Sequence, residues 1–108
     1  MNRGDVVTVA LQGEFGKPRP SVVLQSDTFN SSHATVTILP ISSTVIPAPL
    51  FRLTLEPSTS NGLRRVSQVM ADKIVSVRRD RIGPKIGVLD SDTMARVGRS
   101  VALLLGLG

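Results

Sequence analysis

The first 80 residues are cut into short apolar runs by turn-forming residues, and this constrains the fold more than any other feature of the chain. Asp5 to Leu11 is apolar at most positions, and Ser21 to Ser26 opens as an apolar run. Ala34 to Leu39 alternates, with Val36 and Ile38 on one face and Thr35 and Thr37 on the other. Leu50 to Glu56 alternates again, setting Phe51, Leu53 and Leu55 against Arg52, Thr54 and Glu56. Turn signals separate these runs at Gly13, Gly16-Lys17-Pro18, Asn30-Ser31-Ser32, Pro47-Ala48-Pro49 and from Pro57 through Asn61-Gly62. Val66 to Val77 reads as one or two further strands around Met70-Ala71-Asp72. Short strands in such succession predict a small barrel or sandwich.

The pattern changes near the end. Asp90 or Ser91 can cap a helix whose first turn carries Asp92, after which Met94, Val97, Val101 and Leu104 recur at spacings of three and four. Gly98 weakens this helix and Gly106 stops it. The expected fold class is therefore mostly β (α+β), a small barrel with one C-terminal helix that closes an open end.

At 108 residues the chain is expected to form one domain, residues 1–108, large enough to bury a core without metals or disulfides. It has no cysteine and one histidine, which excludes a disulfide scaffold, a thiolate nucleophile and a Cys-based metal site. No metal and no cofactor are expected. The N-terminus lacks the charged-then-apolar pattern of a secretion signal, and Val101 to Leu107 falls far short of the roughly 20 residues of a membrane helix. A cytoplasmic protein without a membrane span is expected.

Charge is uneven. Residues 1–57 carry Arg3, Lys17, Arg19 and Arg52 against four acidic side chains, so the whole net charge of +5 lies in the second half. An excess of this kind suits a polyanionic partner, nucleic acid or a very acidic protein. Aromatic residues make up only 3% and all are Phe, so any nucleic-acid contact would rest on arginines and backbone rather than on stacking.

Several chemistries lack their residues. The lone His33 stands in a polar turn, where it cannot readily serve a Ser–His–carboxylate triad. The carboxylates are scattered, with no cluster that resembles a two-metal ligand set. Gly13-Glu14-Phe15-Gly16 lacks the third glycine of a dinucleotide fingerprint. What remains is a Gly/Pro-bounded loop, 13–20, that holds Glu14, Lys17 and Arg19 and leads into an apolar strand.

A set of short motifs runs in order along nearly the whole chain. They are Arg3-Gly4-Asp5-Val6-Val7, Gly13-Glu14 followed by Arg19-Pro20 and Val22-Val23-Leu24, Phe29-Asn30, Leu39-Pro40-Ile41-Ser42-Ser43, and Val69 to Val77 with Asp72. Jointly they resemble the MazF/PemK (Kid-type) toxins of bacterial type II toxin–antitoxin systems. The resemblance implies an SH3-like barrel with a C-terminal helix. It also implies a toxin that inhibits translation and growth by metal-independent, sequence-specific cleavage of single-stranded RNA, in which 2′-OH attack leaves a 2′,3′-cyclic phosphate. A homodimer and an acidic cognate antitoxin are implied as partners.

By position in the matched motifs, Glu14 is the general base or network orienter, Arg19 holds the phosphate, and Ser42 donates to the developing oxyanion where the family usually has Thr. Ser43 points to the opposite strand face from Ser42, and either hydroxyl can serve. Lys17, Ser43, Asn30, Asp72 and Arg64 are the candidate RNA-binding residues, and Met70 stands where some members carry an Arg two positions before the Asp. Arg65, Arg78, Arg79 and Arg81 supply further charge for RNA phosphates or an acidic antitoxin tail. Base selection is expected in loops 30–33, 44–49 and 57–64. Two other function classes use such a fold. One is a CcdB-like gyrase poison, which needs C-terminal aromatic residues that Leu103 to Gly108 lacks; the other is an SH3-like binding module without catalysis.

Overall fold

The doublets Val6-Val7 and Val22-Val23 break the simple alternation of a half-buried strand because the strands that carry them are covered on both faces. In a computed structural model, residues 1–11 and 17–108 are described. The elements run β1 (Asp5–Ala10), β2 (Pro18–Val23), a single helical turn α1 (Asp27–Asn30), β3 (Thr35–Ser42), β4 (Arg52–Leu55) and β5 (Ser67–Met70). A 3-10 turn at Ala71–Lys73 leads to β6 (Val75–Arg78), and a second at Arg79–Arg81 leads to β7 (Ile82–Val88) and then α2 (Ser91–Leu105). All pairings are antiparallel in the order β4-β5-β3-β2-β1-β7, with β6 also pairing β3.

Two apolar clusters fill the two faces. Val6, Val22, Leu39, Ile41, Leu53, Leu55 and Val69 join Met94, Val97 and Val101 of α2 in the larger one. Val7, Val9, Val23, Val36 and Ile38 form the smaller. The expected helix is present, with Asp90 as its N-cap, accepting from Thr93 N at 2.7 Å, and Gly106 as its left-handed C-cap at φ 74°. Leu104 is exposed along with Leu103, Leu105 and Leu107, because the last turn of α2 lies beyond its buried residues.

The barrel is not closed by strand pairing: β4 and β7 are the two ends of the sheet order. The loop after β4 lies against β7 instead. Val88 N donates to Ser60 O at 2.8 Å, and two glycines let the backbones touch. A Cβ on Gly62 would stand 2.0 Å from Ile86 O, and one on Gly87 would stand 2.2 Å from Asn61 O. Gly62 also has φ +71°, a conformation that glycine adopts without strain.

Three elements differ from the sequence expectation. β2 begins at Pro18, before Ser21; its β3 partner starts only at Ser21, so the Pro18–Pro20 stretch is an edge on that side, where a missing N–H is tolerated. β3 runs through Pro40 to Ser42 and pairs Pro40 with Ser21. β7 was not expected, since Gly83, Pro84 and Gly87 erase its periodicity; it is a largely exposed edge strand with irregular register against β1. Val66 to Val77 resolves into β5 and β6 around the 3-10 turn.

That turn is tied to β4 by charge. Arg52 Nε donates to Asp72 Oδ1 at 2.9 Å and Nη2 donates to Oδ2 at 3.2 Å, and the guanidinium holds the Asp72 carboxyl below the ordinary value of 3.8. A carboxylate with a lowered folded pKa stabilises above its unfolded value and loses that contribution as pH falls. Asp72→Asn should therefore cost about 1–2 kcal/mol near neutral pH in urea unfolding, with the difference from the parent shrinking below about pH 4. Gly87→Ala should cost about 1–3 kcal/mol, because the loop after β4 must lift from β7, and thermal unfolding reads it directly.

Candidate active site

The N-terminal half of β2 carries Arg19 opposite Val9 of β1, with Lys17 immediately before the strand. Proline on either side of Arg19 fixes φ at both neighbours. Beyond the end of β3 comes Ser43, and at the start of β5 comes Ser67. Between β4 and β5 the chain presents Leu63, Arg64 and Arg65. These segments, with Thr8 of β1 and Ile86 of β7, enclose a cleft of about 880 Å³.

Its lining combines four cations, Lys17, Arg19, Arg64 and Arg65, with the hydroxyls of Thr8, Ser43 and Ser67. No carboxylate or imidazole is among the described lining residues. Cations gathered around one concavity favour an anion there. Arginine and lysine stay protonated at neutral pH, so they stabilise charge on a phosphate as it develops.

The arm that carries Arg64 and Arg65 is anchored at both ends. Asn61 is buried, and its Oδ1 accepts from Ser58 N and from Leu63 N, each at 3.0 Å, while Nδ2 donates to Glu56 O at 2.9 Å. Ser67 Oγ donates to Arg65 O at 2.9 Å. Leu63 between them is buried in the larger apolar cluster, while Arg64 and Arg65 are exposed.

Of the residues expected from sequence, Lys17, Arg19, Ser43 and Arg64 come together on this cleft. Glu14 lies outside the described residues. Ser42 is not in the lining; its Oγ accepts from Thr44 N at 3.0 Å and holds the turn that follows β3. Asn30 is buried in α1, donating to Gln25 O at 3.0 Å and to Asp27 Oδ1 at 2.9 Å. Asp72 is engaged with Arg52 and is likewise away from the lining. Arg79 donates twice to the His33 carbonyl, at 3.0 and 2.7 Å, and Arg78 pairs with Asp80, so both serve local structure. Asn61 and Ser67 were missed, and the signal for the first was present in Asn61-Gly62, which the sequence marks as a turn.

Comparison with known proteins agrees with this architecture. The family model for the PemK-like, MazF-like toxin of type II toxin–antitoxin systems matches residues 2–105. The chain is 38% identical over 108 residues to the probable endoribonuclease MazF of Mycolicibacterium smegmatis, covering 99% of this chain and 98% of that protein. It superimposes with a TM-score of 0.83 on a mycobacterial endoribonuclease in complex with its cognate antitoxin, at 24% identity over 100% of this chain and 97% of the other. MazE–MazF of Deinococcus radiodurans is similar at a TM-score of 0.81 and 25% identity, over 100% and 97% of the two chains. This barrel-like, helix-backed chain belongs to the PemK-like, MazF-like family of type II toxins.

Proposed function

We propose that the chain is a MazF-type endoribonuclease toxin that cuts single-stranded RNA at a preferred sequence, without a metal ion. The observation that carries this reading is the gathering of Lys17, Arg19, Arg64 and Arg65 with three hydroxyls around one cleft, in a chain whose curated relative is named an endoribonuclease.

The chemistry follows from the groups present. A 2′-hydroxyl attacks the adjacent phosphorus, the bond from 2′-oxygen to phosphorus forms, and the bond from phosphorus to the 5′-oxygen breaks. A 2′,3′-cyclic phosphate results, and the departing 5′-oxygen takes a proton from solvent water to leave as a 5′-hydroxyl. The proton of the 2′-hydroxyl goes to Glu14, which stands in the chain a few residues before Arg19. Arg19 takes the charge that builds on the non-bridging oxygens, and the hydroxyl of Ser43 donates to the same oxygens. Lys17 and Arg64 hold neighbouring phosphates. Ser42 keeps the turn that presents Ser43.

An acidic antitoxin would neutralise such a protein by competing for the same cations, which the net charge of +5 favours. The exposed leucines at the end of α2 give an apolar surface of the kind that a second copy buries in a homodimer. The protein would act in the cytoplasm, where messenger RNA is translated; none of the described helices is long and apolar enough to cross a membrane.

Incubation of the purified protein with a long single-stranded RNA in excess EDTA, followed by mapping of the new ends, tests the reading. Cyclic-phosphate 3′ ends should recur at one short sequence, and Arg19→Ala should lower the cleavage rate at least about a hundredfold with the fold retained. RNA left intact by the parent protein across several substrates would overturn the proposal, and gyrase trapping or turnover-free RNA binding would then take its place.

A further inference from the structure

The two cations on β4–β5 side of the cleft stand on a connection between strands, the kind of segment that is ordinarily mobile. Here the connection is held in place. The Asn61 side chain completes three hydrogen bonds inside residues 56–63, the Gly62 and Gly87 contacts press the same residues onto β7, and Ser67 holds the far end through the Arg65 carbonyl. Asn61 itself does not line the cleft. Its amide bonds backbone at both ends, Oδ1 accepting from two amides and Nδ2 donating to Glu56 O, so its side chain acts on the arm.

We propose that Asn61 is a positioning residue for RNA: by fixing the conformation of residues 56–63, whose backbone lies on β7, it holds the backbone of Arg64 and Arg65 at the cleft opposite Lys17 and Arg19, so that phosphates meet cations on a preformed arm. This rests on the cleft being the RNA site. A preformed arm avoids the entropy of ordering its backbone at the moment of binding. Without the Asn61 bonds the arm moves, the two arginines sample positions away from the cleft, and fewer counterions are released when RNA binds.

The experiment compares the parent, Asn61→Ala, the Arg64→Gln/Arg65→Gln double variant and the triple combination. Each is titrated with a short RNA spanning the mapped cleavage site, carrying 2′-deoxyribose at the attacking position, across a series of salt concentrations; steady-state cleavage of the all-ribose RNA is measured beside it. Asn61→Ala should weaken binding about tenfold, flatten the slope of log affinity against log salt by about one, and raise KM with kcat within about threefold. Adding it to the arginine variant should change little further, because both act through the same contacts. Lower thermal stability with parent-like affinity and salt slope would overturn the proposal, as would effects that add fully to those of the arginine variant. If Asn61→Ala fails to fold, Asn61→Ser decides on the same readouts, since it keeps an acceptor oxygen on a shorter side chain, loses the Nδ2 donor to Glu56 O and adds no charge. A parent protein that neither binds nor cuts RNA overturns the functional reading itself, whereas a parent that does both, beside an unaffected Asn61→Ala, overturns this inference alone.

Discussion

The whole arrangement depends on a close approach of two backbones without side chains between them. Gly62 and Gly87 let the loop after β4 lie directly on β7, where a single methyl group at either position would overlap main-chain atoms. The sheet has two free ends, and this contact joins them in place of a ladder of hydrogen bonds. A closed barrel would require matched strand lengths and a fixed stagger. A docked loop needs only a flat patch of backbone, and leaves the residues that follow it free to carry function.

That division of labour explains where the charge sits. The apolar clusters occupy both faces of the central strands, so ionisable groups are excluded from them and collect at the sheet's periphery. Arg19 comes from the start of one strand and Lys17 from just before it, and Arg64 and Arg65 come from a connection between two others. They are distant in sequence and meet because β1, β2, β3 and β5 are neighbours in the sheet. Cations gathered from separate segments in this way attract an anionic ligand.

How much of this was legible follows element by element. α2 was read with its cap and its stop, since periodicity, Asp90 and Gly106 are all local signals. β1 was visible as an apolar run and the first part of β3 as an alternating one. β7 was not, because its glycines and proline serve backbone proximity and edge pairing, which leave no hydrophobic pattern. Whether the two end strands of the expected barrel pair was likewise beyond local signals, because it depends on packing across the whole sheet; they do not pair. At the site, Lys17, Arg19, Ser43 and Arg64 were reachable through motif order and charge. Asn30 and Asp72, singled out by the same motif order, turn inward to Gln25, Asp27 and Arg52, and only the folded geometry distinguishes a polar residue that holds a turn from one that faces a cleft.

The Pro18-Arg19-Pro20 segment has a further consequence. Two pyrrolidine rings restrict this stretch of backbone even in the unfolded chain, so little conformational entropy is lost when it enters the sheet. Pro20 also biases Arg19 toward extended backbone, and pairing with Val9 sets the strand face from which its guanidinium projects. A binding group built in this way takes its anchor from a paired strand of low unfolded-state freedom rather than from a connection.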